Sequence, residues 1–258
     1  AGAAETLAYR DSRAAGAGHA GILIAGATLA GLLGQRAAGR GVGMAAVTAG
    51  ATWIALGGTT LARTGPEMAD LLDARDTDAA RRLLPSLCGR DPAFLDAAGL
   101  ARAALESVAE STAGAAVAPL LWAAVAGAPG VLAYRAVNTL DAMIGSRSPR
   151  YLRFGWAAAR LDGAANLVPA RATGVLTVLC APAVGGSLTG SVRAWRRDAA
   201  RHPSPNAGVP EAAFAGALGV RLGGPTQYRH QLEIRPTLGD GPAPGVGDLR
   251  RAVRLARL

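Results

Sequence analysis

Uncharged, mostly apolar segments alternate with polar ones along this chain. Four segments contain no ionisable acid or base over 15, 22, 24 and 21 residues, namely 20–34, 41–62, 111–134 and 172–192. A helix needs about 20 apolar residues to span a bilayer. The pattern therefore predicts an all-α, polytopic integral membrane protein with about four spanning or re-entrant helices plus cytoplasmic helices.

Polar sequence fills the intervals between these segments. We predict a single membrane domain over 1–258, with a hydrophilic helical insert at 64–110, a polar loop at 135–171 and a polar C-terminal region at 193–258. In the insert, Asp91 followed by Pro92 is typical of an N-cap and first helical position, so a helix is expected to begin there and to run into the third apolar segment. The basic amphipathic pattern of 248–258 predicts a helix on an anionic membrane surface.

Composition supports the membrane assignment. Half of the residues are hydrophobic and 17% are charged, whereas soluble domains average about 25% charged residues. The net charge is +9 and every basic side chain except histidine is Arg, which excludes reactions that need a lysine nucleophile or a P-loop lysine. The arginines crowd the flanks of apolar segments rather than one patch, so we predict a multi-pass protein of the cell membrane, with the lipid bilayer as a partner and no nucleic acid.

Candidate chemistry comes from carboxylate, amide and guanidinium groups. Glu106 and Glu110 stand four residues apart and share one helix face with Arg102, while Asn138 and Asp141 stand three apart and would project to one side of a helix. Carboxylates of this kind suit Mg²⁺, which takes oxygen ligands. Arginine side chains suit phosphate or carboxylate. Spacing alone does not identify a reaction.

Five stretches in fixed order carry a resemblance to a known family. They are GRD at 89–91, ARAALESVAEST at 101–112, AVNTLDAMIGSRSPRYLRFGWAAARLDGAANLVPAR at 136–171, SPNAGVPEAAFAGALGVRLGGP at 204–225 and RPTLGDG at 235–241. On these residues the chain resembles the CobD/CbiB family of cobalamin biosynthesis proteins. It departs from the family pattern at Ser111, Gly114, Gly163 and Thr226.

The resemblance implies an amide-forming, ligase-type enzyme. Members of the family join (R)-1-aminopropan-2-ol, or its phosphate, to the propionate carboxyl of adenosylcobyric acid, which gives adenosylcobinamide or its phosphate. The resemblance therefore implies corrinoid and aminopropanol (phosphate) as substrates, with ATP and Mg²⁺ as further requirements. It leaves room for other membrane enzymes of the corrinoid pathway as partners.

The resemblance also implies roles for particular residues. The catalytic assignments fall on Glu106, Glu110, Asn138 and Asp141, and we expect Mg²⁺ or the amine at Glu106, Glu110 and Asp141. Arg160 and Arg171 are expected to hold phosphate or corrinoid side chains. The full set of substrate-binding residues is Arg90, Asp91, Tyr151, Trp156, Arg160, Asp162, Asn166, Arg171, Ser204, Asn206 and Glu211.

Two other functions are consistent with the sequence. The first is a membrane scaffold or signalling protein of the same fold with lost or altered activity. The second is a transporter or channel, because polar residues between apolar segments also occur in that class. If both glutamates and Asp141 serve one site, the third apolar segment must be a re-entrant or broken helix.

Overall fold

In the computed structural model, the described residues are 5–6, 8–56, 58–146, 148–227 and 232–258. The chain divides into two compact units, the first formed by Ala1–Leu56 with Gly114–Pro169 and the second by Gly57–Ala113 with Ala170–Leu258. Residue 57 of the second apolar segment and residue 147 of the polar stretch 135–171 lie outside the described residues.

Helices make up most of the described structure. In chain order they are α1 (Arg13–Ala38), α2 (Val42–Ala55), α3 (Gly58–Asp73), α4 (Thr77–Leu83), α5 (Ala97–Ser111), α6 (Ala118–Ile144), α7 (Trp156–Ala165), α8 (Leu167–Cys180), α9 (Leu188–Asp198), α10 (Gly208–Leu218) and α11 (Val246–Leu255). A π-helical turn, Thr112–Val117, joins α5 to α6, and 3₁₀ turns occur at Leu84–Ser86, Ala181–Val184 and Ala199–Arg201. The strands are β1 (Leu222–Gln227) and β2 (Leu232–Leu238).

Three helical stretches are long and apolar enough to cross a membrane. Within the described residues they are Arg13–Ala38, Ala97–Ile144 and Leu167–Val184, while the apolar helix α2 is shorter. These helices confirm the predicted all-α, polytopic membrane fold. The fourth apolar segment of the sequence corresponds to α8 and its 3₁₀ extension, and the second corresponds to α2, which ends at Ala55.

The second of these stretches is interrupted within α6. Gly127 has φ +60° and ψ −152°, which only glycine adopts readily, and Pro129 follows two residues later. The third apolar segment is therefore broken in the middle, as expected from the sequence.

In the first unit, α6 and α7 pack against α1. Phe154 is fully buried between Ala20 of α1 and Leu140 and Ile144 of α6. The loop predicted over 135–171 is wrong for most of its length, because α6 continues to Ile144 and α7 starts at Trp156. Asn138, Asp141 and Asp162 therefore lie on helices, and the connection between α6 and α7 is confined to 145–155.

The second unit has its own core, in which α10 is central. Phe214 of α10 is 1% exposed, and the core also includes Leu105 of α5 and Leu249 of α11. The membrane-surface assignment of 248–258 is wrong, since the apolar face of α11 is buried in this core and α11 contacts α3 and α5. On the exposed side of α11, Arg250 forms ion pairs with Asp70 and Asp73 of α3.

A β-hairpin follows α10 within the stretch 193–258, for which the sequence predicted only a polar C-terminal region. Strands β1 and β2 are antiparallel, with Gly224 opposite Arg235. The end of β1 also pairs with the loop before α5, because the Asp91 N–H donates to the carbonyl of Gln227 at 3.0 Å. Asp91 is therefore not a helix cap. Helix α5 begins later, at Ala97, where the side chain of Asp96 accepts a hydrogen bond from the Gly99 N–H.

Candidate functional site

A buried ion pair forms the centre of the polar cluster in the second unit. Arg90 and Glu106 are 8% and 2% exposed, and Nη2 of Arg90 donates to Oε2 of Glu106. The other carboxylate oxygen, Oε1, accepts the backbone N–H of Gly223 at 2.7 Å. Gly223 has φ +80°, and a Cβ at this position would lie 2.0 Å from the carbonyl oxygen of Pro236. Only glycine therefore fits where the β1 backbone binds Glu106.

Arg102, on the same face of α5, binds the hairpin as well. Its Nη1 donates to the carbonyl of Gly223 at 2.5 Å and its Nη2 donates to the carbonyl of Pro225 at 2.7 Å. The helix face shared by Arg102, Glu106 and Glu110 is thus turned toward β1 at its first two positions, while Glu110 is exposed.

Glu211 is a second buried carboxylate of this unit, on the first turn of α10. It is 1% exposed, and its Oε2 has no hydrogen-bond partner among the described residues. Nη1 of Arg235 lies 3.9 Å from its Oε1. Burial raises the pKa of Glu211 well above its ordinary value, and the charges of Glu106 and Glu110 raise it further, while Arg235 and Arg90 oppose this effect.

His202 lies beside Glu211. Its Nε2 is 3.7 Å from Oε2 of Glu211 and has no hydrogen-bond partner in the described structure. Its Nδ1 lies 3.1 Å from the N–H of Ser204 and 3.0 Å from the carbonyl oxygen of Ser204. Burial lowers the pKa of His202, so the ring is neutral at neutral pH.

The segment 204–207, which follows His202, fixes the start of α10 through hydrogen bonds. The hydroxyl of Ser204 accepts the N–H of Ala207 at 3.2 Å, and Nη1 of Arg171 on α8 donates to Oδ1 of Asn206 at 2.9 Å. The segment 204–207 is therefore a fixed connection between α8 and α10. It places Glu211 and His202 on the same side of the core.

A separate polar network occupies the first unit. Asn138 donates to Oδ1 of Asp162 at 3.3 Å, and the Asn166 amide donates to the backbone carbonyl of Asp162 at 3.1 Å. The hydroxyl of Tyr134 lies 2.9 Å from Oδ1 of Asn166. Arg135 donates to Oδ1 of Asn138 at 3.3 Å. Burial raises the pKa of Asp162, and its hydrogen bonds with the two asparagines oppose this rise.

The remaining candidates of the first unit lie outside this network. The Tyr151 hydroxyl donates to Oε1 of Glu5 at 2.8 Å. Trp156 is 41% exposed and has the guanidinium of Arg13 5.4 Å from its ring centroid. Arg160 is exposed and Asp141 is half-buried.

The sequence-derived candidates thus fall into two groups, one in each unit. Those in the second unit are Arg90, Asp91, Glu106, Glu110, Arg171, Ser204, Asn206 and Glu211, and those in the first are Asn138, Asp141, Tyr151, Trp156, Arg160, Asp162 and Asn166. Sequence reasoning missed His202, which looked like an isolated histidine, although it stands two residues before the Ser204 motif. It also missed Arg235 and Gly223, which only the pairing of β1 with β2 brings to the cluster.

The side chains expected to bind Mg²⁺ are engaged in other contacts or lie apart. Among the described residues, no three or more His, Cys, Asp or Glu side chains come together closely enough to hold a metal ion. Both oxygens of Glu106 already accept hydrogen bonds, from Arg90 and from Gly223. Mg²⁺ at Glu106, Glu110 and Asp141 therefore stays a prediction.

Long apolar helices combined with buried charges define a polytopic membrane protein with a polar site in its helical core. Comparison with known families then identifies the group. The family model described as CobD/Cbib protein matches residues 1–256. The chain belongs to the CobD/CbiB family, which confirms the resemblance seen in the sequence motifs.

Curated relatives agree with this assignment. A Mycobacterium tuberculosis (strain H37Rv) protein named cobalamin biosynthesis protein CobD is 70% identical over 254 residues, which cover 98% of this chain and 81% of the relative. A protein of the same name from Rhodobacter capsulatus is 50% identical over 72% of this chain and 58% of its own length. One from Geobacter metallireducens is 48% identical over 74% of this chain and 60% of its own length. No solved structure matches the chain. These relatives support a role in cobalamin biosynthesis.

Proposed function

We propose that this protein is an amide-forming enzyme of cobalamin biosynthesis in the cell membrane. It joins the amino group of aminopropanol, or of its phosphate, to the propionate carboxyl of adenosylcobyric acid. These substrates are the ones that the family resemblance implies, and membership of the CobD/CbiB family supports them. The observation that supports the chemistry is the buried carboxylate of Glu211, whose Oε2 has no partner among the described residues and lies beside His202.

Glu211 has the properties of a general base for the amine. The amino group of the substrate arrives as an ammonium ion, and it must lose a proton before its nitrogen can attack a carbonyl carbon. A carboxylate whose pKa is raised by burial is a stronger base than an ordinary one, and in its ionised form it attracts such a cation and accepts its proton. We assign Glu211 this role, because its unpartnered oxygen is available to the ammonium group.

The amide step conserves atoms and charge. When bound, ATP would activate the propionate carboxylate by phosphorylation, with ADP as the leaving group. Glu211 takes one proton from the ammonium ion, and the freed amine forms the C–N bond. The C–O bond to phosphate breaks, and the departing phosphate takes the second proton of the amine nitrogen.

Cationic groups near Glu211 would stabilise the charge that develops in this step. Arg90 has one guanidinium nitrogen, Nη1, without a hydrogen-bond partner among the described residues, although its Nη2 binds Glu106. Nη1 of Arg235 lies 3.9 Å from Oε1 of Glu211. Buried guanidinium groups are suited to phosphate or to an oxyanion in a site with little water.

The proposal is tested by product formation in membranes that contain the protein. Membranes are incubated with adenosylcobyric acid, aminopropanol or its phosphate, ATP and Mg²⁺, and the corrinoid product is measured by mass spectrometry. Wild-type membranes should form the amide and Glu211→Gln should lose at least about 100-fold in rate, the range of general-base catalysis. Glu67→Gln, the same change at an exposed glutamate of α3, serves as the matched control.

The same experiment separates the alternative functions. A protein of this fold that acts as a scaffold or in signalling would form no product, even though it inserts into membranes and its mutants behave alike. Failure of the wild-type protein to complement a strain that lacks this step would also contradict the proposal.

A further inference from the structure

A basic helix follows the last candidate membrane span almost immediately. The apolar stretch Leu167–Val184 ends four residues before Leu188, the first residue of α9. Since an extended chain covers at most about 3.6 Å per residue, the start of α9 lies within about 14 Å of the end of that stretch. Helix α9 also packs against α8, because a Cβ on Gly174 would lie 2.9 Å from the ring of Trp195. Its position is therefore tied to the membrane helix.

Helix α9 has one buried and one exposed side. Ser191, Ala194 and Asp198 are buried within the second unit. Thr189, Val192, Arg193 and Arg196 follow the spacing of a single helix face on the opposite side. Along this face runs an open groove of about 580 Å³, lined by Leu188, Thr189, Val192, Arg193, Arg196 and Arg197.

The arginines of the groove differ in their partners. Arg197 is paired with Asp198 and Asp240. In the part of the chain that the structure describes, no acidic side chain forms an ion pair with Arg193 or Arg196, and both are exposed. The groove therefore combines two uncompensated positive charges with the half-buried and exposed apolar side chains of Val192 and Leu188.

We propose that this groove binds the phosphate of anionic lipid headgroups at the membrane surface. Arg193 and Arg196 would bind the headgroup phosphate, while Leu188 and Val192 would contact the first carbons of the acyl chains. Two features favour a lipid over a soluble phosphate. The helix is tethered to a membrane segment, and apolar side chains line the same groove as the arginines. This function is independent of amide formation.

The test uses the full-length protein purified in detergent and native mass spectrometry with added phosphatidylglycerol or phosphatidylcholine. The wild-type protein should retain phosphatidylglycerol in preference to phosphatidylcholine. Arg193→Gln/Arg196→Gln should bind phosphatidylglycerol about 30-fold more weakly, since each of two basic residues near an anionic surface contributes roughly fivefold to sixfold. Arg82→Gln/Arg221→Gln removes the same charge from exposed sites of the same unit and should bind like wild type.

A charge-conserving variant and a competition experiment test the lipid-binding proposal further. Arg193→Lys/Arg196→Lys keeps the charge and should retain most of the phosphatidylglycerol binding, which separates loss of charge from loss of folding. Equal retention of the two lipids by the wild-type protein would overturn the proposal. So would displacement of phosphatidylglycerol by millimolar inorganic phosphate, because the groove would then be a site for a soluble phosphate.

Discussion

Nε2 of His202 lies 3.7 Å from Oε2 of Glu211, and neither atom has a hydrogen-bond partner among the described residues. Burying polar atoms without partners costs free energy. A ligand that carries an ammonium group and an oxygen acceptor would satisfy both atoms, because the ammonium donates to Oε2 of Glu211 and the oxygen accepts the Nε2–H of His202. Aminopropanol has both groups, which is why this pair is the core of the proposed amine site.

The His202–Glu211 pair leads to a prediction about the pH dependence of the reaction. When Nδ1 of His202 accepts the Ser204 N–H, the neutral ring carries its proton on Nε2, toward Glu211. His202→Ala removes this donor, so the pKa of Glu211 should rise. The acid limb of the rate profile should then move to higher pH by about one unit.

His202→Gln supplies an amide N–H donor at a similar distance from Glu211. The acid limb of the rate profile should therefore return toward its wild-type pH. The measurement is the pH profile of amide formation for the three proteins. A uniform loss of rate with an unchanged profile would show that His202 has only a structural role.

Glu211 should also lower the stability of the folded protein at neutral pH. Folding raises the pKa of this carboxyl above its ordinary value of 4.5. Its ionisation therefore opposes folding, and the free energy of unfolding should fall as the pH rises from about 4.5 toward the raised pKa. Glu211→Gln removes this loss, which amounts to about 1.4 kcal/mol for each pH unit that separates the folded-state pKa from the unfolded-state pKa.

The check is thermal unfolding in detergent at about pH 8 and at about pH 4, the second of which lies below the ordinary pKa of the carboxyl. Glu211→Gln should be more stable than wild type at about pH 8, and the difference in stability should vanish at about pH 4. Equal stability at both values would contradict the raised pKa.

Removing one partner of the Arg90–Glu106 pair should strongly destabilise the second unit. Both groups are buried, so Arg90→Met or Glu106→Leu alone would leave an uncompensated buried charge, at a cost of about 3–5 kcal/mol. The double variant Arg90→Met/Glu106→Leu should be more stable than either single variant. Chemical unfolding of the purified proteins measures this.

Arg250→Met provides the comparison for this pair. It removes the two exposed ion pairs with Asp70 and Asp73 in the same unit, each of which should contribute no more than about 1 kcal/mol. A similar loss for Arg250→Met and Arg90→Met would contradict the assignment of a buried pair.

The break in the long helix should depend on Gly127. Its φ of +60° is strained for other residues, and an added Cβ would lie 2.3 Å from Nε2 of Gln35. Gly127→Ala should therefore lower the free energy of unfolding by about 1–3 kcal/mol. Gly26→Ala, at a helical glycine with open space around it, should be neutral or slightly stabilising. Equal effects of the two substitutions would show that the helix is not broken at Gly127.

The hydrophobic pattern was sufficient to predict the helical membrane class, since the stretch 20–34 lies inside α1 and 172–192 overlaps α8. Local rules were less reliable. Asp91-Pro92 matched a helix start, but pairing of Asp91 with Gln227 placed the start at Ala97. A hydrogen bond between residues so distant in sequence leaves no local pattern.

The residues of the candidate site were likewise predicted only in part from the sequence. Family motifs indicated Arg90, Glu106 and Glu211, and the structure places these three in one polar cluster. His202 lies outside the motifs, and Arg235 begins the motif at 235–241 but was not expected to be a site residue. These two reach the cluster through the loop before α10 and through the register of the hairpin. Such residues are found only when the packing of several elements is known.

Amide formation by this protein, with Glu211 accepting the proton of the amine, is tested most directly by the fate of the amine nitrogen. The measurement follows isotopically labelled nitrogen from aminopropanol into the corrinoid, in membranes that contain wild type, Glu211→Gln or Glu67→Gln at equal abundance. The label should enter the corrinoid with wild type and Glu67→Gln, and only at trace rate with Glu211→Gln. Incorporation at the wild-type rate by Glu211→Gln would contradict the role of Glu211, and no incorporation by wild type would contradict amide formation itself.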